Sequence, residues 1–266
     1  MRFTINEFHN VIMKEAPAYM KESYDNIGLM VGDKKQEVNN ILVSLDCTKT
    51  VIEEAKDKGC NLIFNHHPIL FLKPKKITTD TLQGEKILAL IKGEIAVYSA
   101  HTNLDSAPNG LNKIACELAT GKDGEVLRKI SDEEYGIGRI ADLDSLVTFS
   151  EYIDRIKKTF DIETVRVCGS LNKNIKKVAI INGSGEDFIM SAVEKGADCI
   201  ITGDTTFHYI SDYNEMGICI IDGGHYEIEW KIFKEYCELL KKKLIANGFE
   251  GEVFFSEKSV NPYVYK

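Results

Sequence analysis

Two adjacent histidines, His66 and His67, stand in the stretch Asn65-His66-His67-Pro68. Imidazole is a common ligand of transition metals and a proton carrier near neutral pH. Neighbouring side chains that leave a strand point in different directions, so such a pair suits two adjacent ions better than chelation of one. Asp105 in His101-Thr102-Asn103-Leu104-Asp105, and His225 with Glu229 after Gly223-Gly224, are the matching donors. A four-residue spacing, in both His101 to Asp105 and His225 to Glu229, puts two side chains on one face of a helix. Three imidazoles and two carboxylates complete two sites only if one carboxylate bridges. With Glu229 bridging, each ion has three protein ligands and keeps positions open for water, as catalytic sites do. Mixed nitrogen and oxygen ligation suits zinc, iron, manganese, cobalt or nickel without selecting among them. A bound ion of this kind lowers the pKa of water from about 15.7 toward about 7, which points to hydrolysis of an amidine, amide or phosphate-type centre. His101, Asp204 and His208 are then the candidate catalytic groups, orienting the ligands or moving protons. His9 is expected to face solvent and is assigned no role.

These side chains need elements that deliver them to one place. Cys60–Phe64 reads as a short apolar strand ended by Pro68, so His66 and His67 fall where a strand leaves its sheet. The crevice beyond strand C-termini is where open α/β sheets bind ligands. Upstream, residues 4–20 read as a helix capped by Thr4 or Asn6, with Phe8, Val11 and Ile12 inward. A turn and strand follow at Asp25–Gly32, then a strand at Ile41–Leu45. A helix from Thr48 to Lys58 ends at Gly59. Downstream, a strand is expected at Ile137–Leu143, a helix at Ser150–Phe160 and a strand at Thr164–Cys168. After Gly223-Gly224 a helix carries Trp230, Phe233, Cys237 and Leu240 as an apolar stripe. Val253-Phe254-Phe255 reads as a strand, and Val260 with Tyr263-Val264-Tyr265 as an aromatic tail able to cover a subunit contact.

The same grammar occurs twice at an offset of about 137 residues. Ile41–Leu45 matches Val178–Asn182, and Ala55–Ile63 matches Ala192–Ile200. Gly32 falls on Gly169, and His66-His67 on Gly203-Asp204. The pattern predicts an α/β protein built by internal duplication, with residues 1–130 as the first repeat and 131–266 as the second. All the strand ends would then face one metal cleft between the repeats.

Composition limits the function classes. The 266 residues, 44% hydrophobic and 28% charged, are enough for one large domain or two smaller ones. No stretch approaches the roughly 20 apolar residues of a membrane span and no signal core opens the chain, so a cytoplasmic location and no membrane partner are expected. The seven cysteines are scattered without a Cys-x-x-Cys pair, as small buried hydrophobes are in a reducing compartment. A net charge of −8 argues against binding a nucleic-acid backbone but not against a metal-held nucleotide.

Five motifs in order resemble the family of GTP cyclohydrolase 1 type 2 homologues, also called NGG-interacting-factor-3-like proteins. They are Asp25-Asn26-Ile27-Gly28-Leu29, Asn65-His66-His67-Pro68, His101-Thr102-Asn103-Leu104-Asp105, Thr202-Gly203-Asp204 with His208, and Ile221-Asp222-Gly223-Gly224-His225 with Glu229. The likeness covers nearly the whole chain. It departs mildly at Asn109-Gly110-Leu111-Asn112, where the family often has Gly-Gly-Leu-Asn. The resemblance implies two intertwined α/β repeats with mixed sheets and a ring-shaped homohexamer whose sites face an inner cavity. It also implies two divalent metal ions per chain, His66 and Asp105 on one, His67 and His225 on the other, and Glu229 between them. The named reaction is hydrolytic opening of the guanine ring of GTP at C8 with release of formate. The alternative is a metal-trafficking or regulatory protein that holds iron without turnover.

Overall fold

The computed structural model describes residues 2–131, 133–264 and 266. Two compact units emerge, one of residues 1–104 with 233–266 and the other of residues 105–232. These units differ from the sequence halves 1–130 and 131–266. The chain leaves the first unit inside one helix and re-enters it inside another, so its last segment returns to the first unit's sheet.

In the first unit, α1 (Ile5–Glu15) begins at Thr4, which forms a reciprocal capping box with Glu7. It stops earlier than residue 20 because Pro17 supplies no backbone donor, and only a 3-10 turn at Ala18–Met20 follows. Then come β1 (Gly28–Val31), β2 (Ile41–Ser44), α2 (Lys49–Asp57), β3 (Leu62–Asn65), α3 (Leu82–Lys92) and β4 (Ala96–Ser99). The Thr48 hydroxyl caps α2 by accepting from the Val51 amide, and Gly59 follows its end at φ +63°. With β11 (Val253–Phe255) these strands form a sheet in the order β1-β4-β3-β2-β11, antiparallel only at β1 and β4. Every residue of β2, β3 and β4 is buried, as expected of parallel strands covered on both faces.

The second unit contains α5 (Leu111–Thr120), β5 (Glu125–Lys129), β6 (Gly136–Thr148), α6 (Phe149–Phe160), β7 (Arg166–Cys168) and β8 (Asn174–Ser184). It continues through α7 (Ile189–Glu194), β9 (Cys199–Gly203), α8 (Phe207–Glu215) and β10 (Cys219–Asp222). Its sheet runs β5-β6-β8-β9-β10-β7, with β8, β9 and β10 parallel and the other pairings antiparallel. The run β7-β10-β9-β8 repeats β1-β4-β3-β2 in order and strand sense, which is the duplication seen at the level of topology. Both sheets are mixed, as expected of this α/β chain. Two helices carry the chain across the unit boundary, α4 (Thr102–Ser106) and α9 (His225–Ala246).

Packing departs from expectation at His9. It is half-buried, its Nδ1 lies 2.8 Å from the Tyr98 hydroxyl, and burial pulls its pKa below the usual histidine value. The helix turns it onto β4 because it follows Phe8, whose ring sits 5.2 Å from that of Tyr98. The cysteines are free thiols, buried except for half-buried Cys168. Burial pushes the Cys47 thiol up to about 12 and that of Cys60 to about 11, which leaves both inert as nucleophiles. Among the described residues no helix is long and apolar enough to cross a membrane. In the tail, Tyr263 and Val264 are exposed, and Tyr265 lies outside the described residues.

Candidate metal centre

The first unit gathers imidazoles at the C-terminal edge of its sheet. His66 and His67 follow the last residue of β3, and His101 follows β4 by two positions. Because β3 and β4 are parallel in register, with Asn65 opposite Ser99, their ends arrive side by side. Ligand-capable nitrogens of His66, His67 and His101 lie within 4.8 Å of one another. Beneath them, the Asn65 amide donates to the His67 carbonyl at 2.6 Å and its carbonyl accepts from the Ser99 hydroxyl at 2.7 Å, which fixes the turn. Phe233 packs 5.5 Å from the His66 ring and 5.3 Å from Phe64.

Each of these rings has one nitrogen held by an oxygen acceptor. Nδ1 of His66 lies 2.8 Å from the Ala100 carbonyl, that of His67 3.0 Å from Asp46 Oδ1, and that of His101 2.9 Å from Asp25 Oδ1. A carbonyl or carboxylate can only accept, so each Nδ1 carries the proton and a neutral ring has its lone pair on Nε2. Metal-ligating histidines are oriented in just this manner by their outer partners. Asp25 also accepts from the Thr102 amide at 3.0 Å and the Thr102 hydroxyl at 2.5 Å. Burial alone would raise its carboxyl, but these bonds and the His101 imidazole outweigh that and hold it at about 2.

The second unit gathers carboxylates. Asn182, at the C-terminal end of β8, donates through Nδ2 to Asp105 Oδ1 and to Glu229 Oε1, each at 2.9 Å. The Asn182 amide in turn donates to Asn112 Oδ1 at 2.9 Å, and Asn112 Nδ2 donates to the Asp105 carbonyl at 3.1 Å. Asp105 and Glu229 are buried, with carboxylate oxygens within 4.8 Å of each other. Two anions brought this close repel each other unless a cation accompanies them. His225 opens α9 one turn before Glu229, with its Nε2 2.8 Å from Glu229 Oε2 and its Nδ1 2.6 Å from Asp204 Oδ2. Asp204 reaches it from a left-handed backbone conformation at φ +54°, uncommon for a residue with a side chain.

Small residues give this cluster room. A Cβ at Gly183, where φ is +65°, would come 2.7 Å from Glu229 Oε1. Asp222 staples the two turns that carry Asp204 and His225. Its carboxylate accepts from the Thr205 amide at 3.0 Å, the Thr205 hydroxyl at 2.5 Å and the Gly224 amide at 3.0 Å, and it pairs with Arg166. Beside this staple, a cavity of about 570 Å³ lies between α8 and β7 and includes none of the donor residues.

The expected residues thus fall into two donor groups, His66, His67 and His101 in the first unit and Asp105, His225 and Glu229 in the second. His101 lies within reach of the same position as His66 and His67. His208 is exposed in the first turn of α8, its ring 5.5 Å from that of Phe207, and no hydrogen bond among the described residues joins it to either group. Asp46, Asn112 and Asn182 were not anticipated. Asp46 follows the end of β2 by two positions, as His67 follows that of β3, so the strand-end rule marks both. A nitrogen and oxygen donor set, with carboxylates buried together and ring tautomers preset, fits a divalent metal ion.

The model of the Duf34/NIF3 (NGG1p interacting factor 3) family matches residues 3–262. The chain belongs to that family. It is 45% identical over 268 residues to the GTP cyclohydrolase 1 type 2 homolog of Clostridium acetobutylicum, covering 100% of both chains. It is 46% identical over 262 residues to the homolog of the same name from Clostridium perfringens, covering 98% of this chain and 99% of the relative. Among solved structures it is similar to the Staphylococcus aureus hypothetical protein SA1388, with a TM-score of 0.92 and 29% identity over 100% of both chains. It is also similar to reduced HcgD from Methanocaldococcus jannaschii, with a TM-score of 0.82, 28% identity, and coverage of 97% and 99%.

Proposed function

We propose that this protein is a divalent-metal-dependent hydrolase whose two donor groups act as one dinuclear centre. His66 and Asp105 would hold one ion, His67 and His225 the other, and Glu229 would bridge. The observation that carries this reading is the common setting of four imidazoles. His66, His67, His101 and His225 each have Nδ1 against an oxygen acceptor, which leaves Nε2 for ligation in His66, His67 and His225 and for proton transfer in His101.

When bound, such ions supply water of lowered pKa and polarise the atom under attack. The chain's own residues do the rest. Asp25, an anion at neutral pH, holds the His101 Nδ1 proton, which leaves Nε2 to take a proton from an attacking water or return one to a leaving nitrogen. Asp204 orients His225, and Asn182 keeps Asp105 and Glu229 turned toward a shared position. His208, exposed near the Asp204 turn, is the candidate for exchanging protons with solvent.

The best-named reaction is ring-opening hydrolysis of a purine nucleotide, as in the GTP cyclohydrolase name of the relatives. The test is formate release from GTP by protein loaded with Mn²⁺, Fe²⁺ or Zn²⁺, before and after chelation. Formate released only with metal, and lost in His101→Gln, supports the reading. Metal that binds and exchanges freely without any formate would favour the iron-trafficking alternative. The homohexamer implied by the family likeness is proposed as the working assembly, to be tested by light scattering.

A further inference from the structure

A run of aromatic rings leads outward from the first unit's histidines. The buried His66 ring meets His101 at 5.0 Å between centroids, His101 meets Phe71 at 6.2 Å and 85°, and Phe71 meets Tyr24 at 6.4 Å and 70°. Exposure rises along it, from 0% at His66 to 47% at Phe71 and 65% at Tyr24. An exposed ring beside a polar site offers a face on which a planar ligand can stack.

The turn that bears Phe71 is anchored. Asn26 Nδ2 donates to the Leu70 carbonyl at 2.7 Å, Gln83 donates to the Ile69 carbonyl, and Ile69 is buried against the first unit's core. Phe71 is therefore presented by a held backbone four positions beyond His67. Directly after it runs Phe71-Leu72-Lys73-Pro74-Lys75-Lys76, with no acid between Phe71 and Thr79 in a chain of net charge −8. All of these residues are exposed. Lys76 pairs with Asp80, whereas no ion pair among the described residues engages Lys73 or Lys75.

We propose that Phe71 and Tyr24, with Lys73 and Lys75, form a nucleotide-recognition surface beside the histidines. The base stacks on the Phe71–Tyr24 pair, and the phosphates meet the two lysines. Aromatic side chains accept any base through its π-face, and ammonium groups bind phosphate as point charges. A cationic segment in an otherwise acidic chain is the local field an anionic ligand requires. The inference rests on the metal-dependent reading for the reaction but not for the binding, because none of these four residues is a proposed metal ligand.

The experiment is calorimetric titration of the full-length protein with GTP, guanosine and tripolyphosphate, with and without added Mn²⁺. Wild type is compared with Phe71→Ala, Phe71→Trp and the double variant Lys73→Ala/Lys75→Ala, and metal content and assembly mass are recorded for each. Phe71→Ala is expected to weaken GTP and guanosine about tenfold and leave tripolyphosphate unchanged, with Phe71→Trp restoring base affinity. The double lysine variant is expected to weaken GTP and tripolyphosphate but not guanosine. Unchanged GTP affinity in Phe71→Ala overturns the proposal, as does wild-type protein that binds neither GTP nor guanosine. Loss of assembly in Phe71→Ala also overturns it, by assigning the ring to a subunit contact. Wild-type protein that binds guanosine but no metal would instead sink the metal reading and leave this surface standing.

Discussion

His225 Nδ1 lies 2.6 Å from Asp204 Oδ2, and the opposite nitrogen of the same ring lies 2.8 Å from Glu229 Oε2. One acid therefore orients the ring and another shares its donor face. Removing an orienting partner typically costs 10–100-fold in metal affinity. Asp204→Ala is expected to weaken metal binding by about that factor while leaving the fold intact, since Asp204 is exposed. Competition against a chromogenic chelator measures it. Wild-type affinity in the variant would remove Asp204 from the site.

Asn182 holds Asp105 and Glu229 with one amide nitrogen. Asn182→Ala deletes both bonds and leaves two buried carboxylates to reorient. The cost is expected at about 1–3 kcal/mol in urea unfolding of the metal-free protein, together with a fall in metal occupancy. Added metal should recover part of the stability if the carboxylates are ligands, because binding to the folded state alone stabilises it.

Gly183→Ala tests the close approach to Glu229. The new Cβ would stand 2.7 Å from Oε1 and 3.6 Å from His225 Nε2, at a φ of +65° that side chains rarely adopt. Glu229 must move. Metal content is expected to fall sharply while the far-ultraviolet circular dichroism is unchanged, with a stability cost of about 1 kcal/mol from the backbone.

Glu54 provides a pH-dependent contribution to stability and belongs to neither donor group. Its buried carboxylate accepts from the Ser256 hydroxyl and from the Glu257 and Lys258 amides, which ties the segment after β11 to α2. Burial opposes the charge, but these bonds and Lys58 outweigh it and hold the pKa below the usual glutamate value. A depressed folded-state pKa means the contribution is complete above the unfolded value of about 4.3 and is lost as pH falls through the lower folded one. Glu54→Gln should be less stable than wild type at pH 7, and the gap should close in acid. A gap that widened on acidification would reverse the assignment.

Much of this architecture was legible because periodicity and capping act locally. Thr4 and Thr48 mark true helix starts, and the His225–Glu229 spacing lies on one face of α9 as the 3.6-residue period requires. The duplicated grammar points to Asp204, which the fold sets against the His225 ring. Asn182 was invisible because an amide at the end of an apolar strand carries no pattern until the chain folds. Asp46 lies two residues beyond β2, and only the pairing of β2 with β3 brings it to His67. His9 has Glu7 and Asn10 as neighbours in the chain, but α1 turns its ring onto the Tyr98 hydroxyl, a contact that only the packed sheet supplies. The unit boundary was hidden for a related reason, since the pairing of β11 with β2 is long-range and neither strand announces its partner.

The most direct test is metal content per chain, measured on untagged protein prepared without oxygen, for wild type, His66→Ala and Glu229→Ala. A dinuclear centre predicts roughly two divalent ions per wild-type chain and clear loss in both variants. A wild-type chain that holds no metal after reconstitution with Fe²⁺, Mn²⁺ and Zn²⁺ would contradict it.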